Sequence, residues 1–227
     1  MLNVKNTILD SLLSVVAPHL CSGCGRIGGT FCDNCKYDII IEPFSGCLLC
    51  EKPSPTGVCD EHKVAFNQAW AVGHRSGPLQ RLIGGFKFRN MKTASVDLAD
   101  LLHITLPPLP VSTVYVPIPT TPAHIRERGY DHMLLIARQL GRVRNLPVQQ
   151  LLKRNNTLIQ HSAGRKVRLV QATTAFKVEG AVDPNATYTL LDDVVTTGAT
   201  ISQAALLLRR AGATTIWVAV TSRQPLD

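Results

Sequence analysis

The segment Tyr188-Thr-Leu-Leu-Asp-Asp-Val-Val-Thr-Thr-Gly-Ala-Thr200 begins as an apolar run, reaches two adjacent carboxylates at Asp192 and Asp193, and then turns to small hydroxyl residues and a glycine. An apolar run of this kind predicts a strand buried on both faces of a parallel sheet, since neither face alternates toward water. Beyond it, Ile201 to Ala211 takes up helical periodicity with strong helix formers. The predicted order is strand, loop, helix.

In that arrangement the amides of Thr196 to Thr200 face a space near a helix N-terminus, where unpaired N–H groups and the helix dipole favour a phosphate. Thr196, Thr197 and Thr200 add hydroxyl donors, and Gly198 permits close backbone approach. Two acids at the strand end would repel a bare phosphate, but they suit a ribose, whose paired hydroxyls donate to carboxylates. A sugar phosphate is therefore the expected ligand. The plainer alternative, a capped strand-to-helix turn, asks for only one Ser, Thr, Asp or Asn.

All seven cysteines lie between positions 21 and 59, as Cys21 and Cys24, Cys32 and Cys35, Cys47 and Cys50, and then Cys59 with His62 three places on. Eight such ligands in four short knuckles are the number that two closed tetrahedral Zn²⁺ sites need. Gly23, Gly25 and Gly46 let the backbone turn tightly beside them. The alternative is a disulfide framework, which needs an oxidising compartment, and no export signal is visible. Sequential pairing, Cys21, Cys24, Cys32, Cys35 and then Cys47, Cys50, Cys59, His62, is expected, although an interleaved cross-brace uses the same residues. Full ligand sets leave no open position for chemistry, so both ions are expected to be structural.

The remaining chain fits a small metal module over residues 1–66 and an α/β domain over 67–227, with strands near 68–74, 112–118, 188–193 and 214–221. An amphipathic helix is expected between Val4 and Val16, where Val4, Ile8, Leu12 and Val15 share a stripe. No run approaches the roughly 20 apolar residues of a membrane span, so a cytoplasmic location without a membrane span is expected. Residues 1–66 carry 5 Lys/Arg against 7 Asp/Glu, whereas 67–227 carry 19 against 9. Between Arg126 and Arg168 stand ten basic side chains and two acidic ones, a charge that attracts a diphosphate or a nucleic-acid backbone if it is more than a solvated surface. Ser112 to Pro119 reads as a strand with an extended exit, followed by a loop holding Arg126, Arg128 and Gly129. In α/β sheets that loop and the one after Asp193 face a common ligand. Gln80 to Arg89 reads as a helix presenting Lys87. Arg154 and Arg168 are further candidates, with Lys87, Arg126 and Arg128, for a diphosphate or DNA.

Residues 188–200 resemble the phosphoribosyl diphosphate (PRPP) signature of type I phosphoribosyltransferases. The resemblance implies that Asp192 and Asp193 hold ribose hydroxyls, while the loop that includes Val194, Val195, Thr196, Thr197, Gly198, Ala199 and Thr200 wraps the 5-phosphate. Taken with the cysteine knuckles, Val116-Pro-Ile-Pro119, Arg126-Glu-Arg-Gly-Tyr130 and Arg154-Asn-Asn-Thr157 with Gln160, the chain resembles the competence protein F (ComF) family along nearly its whole length. The family usually reads Arg-Gly-Phe-Asn-Gln where this chain has Arg128-Gly-Tyr-Asp131-His132, and Arg-x-x-Asn where it has Arg168-Leu-Val-Gln171. His62 stands where a further cysteine is common. The resemblance implies handling of incoming single-stranded DNA during transformation, with competence or recombination proteins as partners. It is compatible with an active, Mg²⁺- and PRPP-dependent phosphoribosyltransferase, or with a PRPP or nucleotide sensor without turnover. Stacking aromatics are scarce in the basic stretch, with only Tyr130.

Overall fold

The computed structural model describes residues 19–155 and 176–226. The expected leader helix, Thr157, Gln160, Arg168 and Gln171 lie outside the described residues. Strands β1 (Gln68–Ala71), β6 (Thr215–Arg223), β5 (Thr187–Val195) and β2 (Thr113–Pro117) form a sheet in that spatial order, and every pairing is parallel. A separate antiparallel pair joins β3 (Leu152–Arg154) to β4 (Phe176–Val178).

Side chains alternate across this sheet as the strand period requires. Trp70, Tyr115, Leu191 and Ala219 meet one face, which is covered by α2 (Gly77–Phe88), α3 (Ala94–Thr105) and α5 (His132–Arg144). Val116, Leu190 and Val218 meet the other, covered by α6 (Ala199–Arg210) through Ile201, Ala204, Ala205 and Leu208. Burial on both sides explains why residues 188–191 read as an apolar run. Fully burying a Leu190 or Leu191 side chain contributes about 1.5–3 kcal/mol.

The parallel sheet flanked by helices agrees with the fold class read from the sequence, and the four strands lie within a few residues of their expected bounds. One element differs. The stretch after Pro119, read as a loop, contains a short helix, α4 (Pro122–Arg128). Thr121 Oγ1 accepts from the His124 amide at 3.3 Å, Pro122 occupies the first turn, and Gly129 closes the helix at φ 76°. These are a regular N-cap, N1 proline and C-terminal glycine.

Ahead of the sheet, the cysteine-bearing segment carries helix α1 (Asp33–Ile40). The Leu48 amide donates to the Gly57 carbonyl, and the Ala69 amide to the Thr56 carbonyl, each at 2.8 Å, so the segment extends the edge at β1. Gly57 has φ 73°, and a Cβ there would fall 1.9 Å from the Ala69 carbonyl oxygen.

Candidate functional site

Strands β2 and β5 are neighbours, but their following helices lie on opposite faces, α5 on one and α6 on the other. A crevice opens at the carboxyl ends of two such strands, where α/β folds place ligands. Here it is a pocket of about 200 Å³ lined by Ile118–Thr121 after β2, by Asp192, Asp193, Val194 and Thr200 at β5, and by Lys87, Arg128, His132 and Arg154.

The two carboxylates differ sharply. Asp193 is buried, and its Oδ2 receives Lys87 Nζ at 2.6 Å and His132 Nε2 at 2.5 Å. Burial alone would raise its pKa, but the His132 hydrogen bond and the Lys87 charge outweigh that and hold it below the usual carboxylate range. Asp192 accepts the Asp193 amide at 2.9 Å and lines the pocket. Burial, together with the Asp193 charge, pushes its pKa up to about 8.

His132 is oriented from behind. Arg128 Nη1 lies 3.1 Å from His132 Nδ1 and has no acceptor capacity, so Nδ1 carries the lone pair and the proton on Nε2 goes to Asp193. Thr120 Oγ1 stands 3.0 Å from the same Nδ1 and donates to Asp131 Oδ1 at 2.8 Å. Asp131 also accepts the Leu134 amide at 3.1 Å, capping α5. Where the Asn-Gln pair is usual, Asp131 caps the helix and His132 braces the buried acid. Arg128 Nε is buried without a hydrogen-bond partner. Arg154 donates Nε to the Pro119 carbonyl at 2.8 Å and lies 4.9 Å over the Phe176 ring.

Beyond Val195 the chain turns through Gly198, at φ 75°, into α6. Thr196, Thr197, Ala199 and Thr200 are exposed around this turn, beside the first-turn amides of a helix of 12 residues. The candidate cations divide. Lys87, Arg128 and Arg154 converge on the pocket; Arg126 is exposed on α4 and is absent from the lining; Arg168 lies outside the described residues. His132, Thr120 and Thr121 join the pocket without having been singled out in the sequence. The His at the place of the usual Gln was the available signal for the first of them.

Two metal-ligand groups form, Cys21, Cys24, Cys32, Cys35 and Cys47, Cys50, Cys59, His62, each with ligand atoms within 4.8 Å of one another. Cys24 and Cys32 Sγ are 3.6 Å apart, as are Cys50 and Cys59 Sγ, and His62 Nδ1 stands 3.1 Å from Cys59 Sγ. A tetrahedron with Zn–S bonds of about 2.3 Å has an S–S edge of about 3.8 Å, so both sets fit zinc. The Gly23 and Cys32 amides each donate to Cys21 Sγ at 3.3 Å, which orients the thiolate.

The chain is similar over nearly its whole length to competence protein F of Haemophilus influenzae, 29% identical over 220 residues that cover 91% of each protein. It is also 29% identical to the DNA utilization protein YhgH of Escherichia coli K12, over 209 residues and 88% of each. The YhgH of Salmonella typhi matches at 29% over 76% of this chain and 81% of that one. These similarities agree with the ComF resemblance carried by the motifs. No family model matches. Among solved structures, an allosteric regulatory enzyme of purine biosynthesis aligns at 17% identity and a TM-score of 0.43, over 57% of this chain and 25% of that one. The glutamine PRPP amidotransferase of B. subtilis aligns at 18% and 0.42, over 57% and 26%. The chain thus spans about a quarter of these enzymes' length.

Proposed function

We propose that the chain binds the ribose 5-phosphate part of PRPP or a nucleotide, and acts in natural competence by handling single-stranded DNA in the cytoplasm. The observation that carries this reading is the pocket at the β2–β5 crevice. Its lining suits such a ligand: Asp192 is chemically apt for ribose hydroxyls, Thr200 at the helix entry for a phosphate, and Lys87, Arg128 and Arg154 for further negative charge. Asp192 takes the ribose hydroxyls, Asp193 is the braced acid behind it, and the backbone from Val195 to Thr200 encloses the phosphoryl group. Residues 1–66 act as a module whose two zinc ions are structural, appended to a type I phosphoribosyltransferase-like domain over 67–227.

The test is a calorimetric titration of ribose 5-phosphate and PRPP into the full chain. Wild type is expected to bind, and the Asp192→Ala, Asp193→Ala double variant to lose binding while still melting cooperatively. Unchanged affinity in that variant overturns the ribose assignment. Arg126, Arg138 and Arg142 are exposed on α4 and α5 and suit DNA backbone contacts. Three phosphate contacts on a single strand would cost roughly 20-fold in affinity between 50 and 200 mM salt. Salt-independent DNA binding removes their role.

A second reading, phosphoribosyl transfer to a nitrogen base, is favoured by the three cations that line the pocket, whose charge suits a departing diphosphate. Asp192 is the residue that would face a Mg²⁺ arriving with PRPP; the ion would neutralise the leaving group. Diphosphate release across a panel of bases tests it. Silence across the panel with PRPP binding intact leaves a sensor without turnover.

A further inference from the structure

Leu49 and Arg223 ligate no metal and do not line the pocket, yet both meet the phosphate loop. Leu49 lies inside the Cys47–Cys50 knuckle and packs so closely on Gly198 that a Cβ there would stand 2.0 Å from Leu49 Cδ2. Arg223, at the end of β6 and 1% exposed, donates Nη2 to the Leu49 carbonyl at 3.1 Å and Nη1 to the Val195 carbonyl at 3.4 Å. Its Nε faces Glu51 Oε1 at 3.9 Å, and Glu51 holds φ 62°, a conformation that its surroundings must enforce. One buried guanidinium therefore spans the second metal knuckle and the first residue of the loop.

The first cluster looks elsewhere. Arg81 on α2 donates to the Ser22 and Gly23 carbonyls at 2.7 and 2.8 Å. Thr30 bonds Asp97 on α3, and Lys36 pairs with Asp97 and Asp100 at 3.0 Å each. Among the described residues, no hydrogen bond or ion pair joins this cluster to residues 195–200.

We propose that the second metal cluster, through Leu49 and Arg223, is a positioning element of the phosphate loop, whereas the first is not. A phosphate cradle works by holding several backbone donors in place before the ligand arrives. Ordering of Cys47–Cys50 around its ion fixes the Leu49 side chain over Gly198 and the Leu49 carbonyl on Arg223. Without it the guanidinium loses an acceptor while remaining buried, and the loop loses the side-chain brace at Val195, whose carbonyl keeps the Gln224 amide at 2.8 Å. The effect on ligand binding rests on the sugar-phosphate reading; the coupling between knuckle and loop does not.

Hydrogen exchange read by mass spectrometry on the full zinc-loaded chain tests the coupling directly. Leu49→Ala keeps all eight ligands. It is expected to leave metal content unchanged, to speed exchange at amides 195–200, and to weaken ribose 5-phosphate by about tenfold. Leu49→Met restores both, and Arg81→Ala, the matching cut at the first cluster, moves neither. Leu49→Val gives the same direction in a milder form should the alanine variant fail to fold. Unchanged exchange at 195–200 in the Leu49 variants overturns the proposal. If wild type takes no ribose 5-phosphate, the sugar-phosphate reading falls, and the exchange comparison still decides the coupling.

Discussion

The two clusters, four cysteines in one and three cysteines with a histidine in the other, share CxxC spacing but not neighbours. Cys21, Cys24, Cys32 and Cys35 sit beside α2 and α3, tied by Arg81, Thr30 and Lys36 to the far side of the helical layer. Cys47, Cys50, Cys59 and His62 sit at the strand ends, with Leu49 against Gly198 and Arg223 beneath. Two closed metal sites can thus carry unequal consequences, because what a knuckle positions depends on the surface it packs against.

The largest expected contrast comes from removing one ligand at each cluster. Cys47→Ala is expected to lose one zinc and all measurable ribose 5-phosphate binding. Cys21→Ala is expected to lose one zinc and stability, with affinity kept within about threefold, a difference below 1 kcal/mol. Metal analysis with calorimetry reads both, and equal loss of binding in the two variants breaks the contrast. Gly198→Ala comes next, since its φ of 75° and the 2.0 Å approach to Leu49 Cδ2 add strain and overlap; a cost of about 2–4 kcal/mol follows. Combining it with Leu49→Ala relieves the overlap but not the backbone strain. The double-mutant cycle should therefore be non-additive by about 1 kcal/mol or more in urea melts, and simple additivity would deny the contact.

Asp192→Asn sharpens the comparison within the site itself. Because the folded pKa of Asp192 is raised to about 8, the stability linked to its proton is present below the unfolded value of about 4 and is lost as pH rises through about 8. The neutral amide escapes that loss. The variant should melt higher than wild type above pH 8, by roughly 2–4 °C for each kcal/mol relieved, with the gap closing toward pH 4. A pH-independent difference would contradict the raised pKa that burial and the Asp193 charge produce. The smallest effect is that of Arg81→Ala, whose exposed hydrogen bonds to Ser22 and Gly23 should be worth about 1 kcal/mol or less in chemical melts and nothing in ligand binding.

The elements legible in the sequence were those with strong local patterns. Residues 188–193 read as a buried strand because helices cover both faces, and the four knuckles read as metal ligands from their spacing together with the lack of a visible export signal. Helix α4 carried its own signals, Thr121, Pro122 and Gly129, but the prolines before it favoured an extended reading. The β3–β4 pair joins residues 152–154 to residues 176–178, distant in the chain, and nothing local announces its register. Contacts far apart in the chain were the least visible: His132 meets Asp193 across 61 positions, and Arg223 meets Leu49 across 174. In the sequence Asp192 and Asp193 read as an equivalent pair, and the approach of Lys87 and His132 to Asp193 distinguishes them.

A crystal of the zinc-loaded chain grown with ribose 5-phosphate tests the binding site most directly. The account predicts the phosphoryl group within hydrogen-bonding reach of the amides and hydroxyls of residues 196–200, with the ribose hydroxyls on Asp192. A ligand seated elsewhere, or a loop between Val195 and Thr200 closed to the anion, would contradict it.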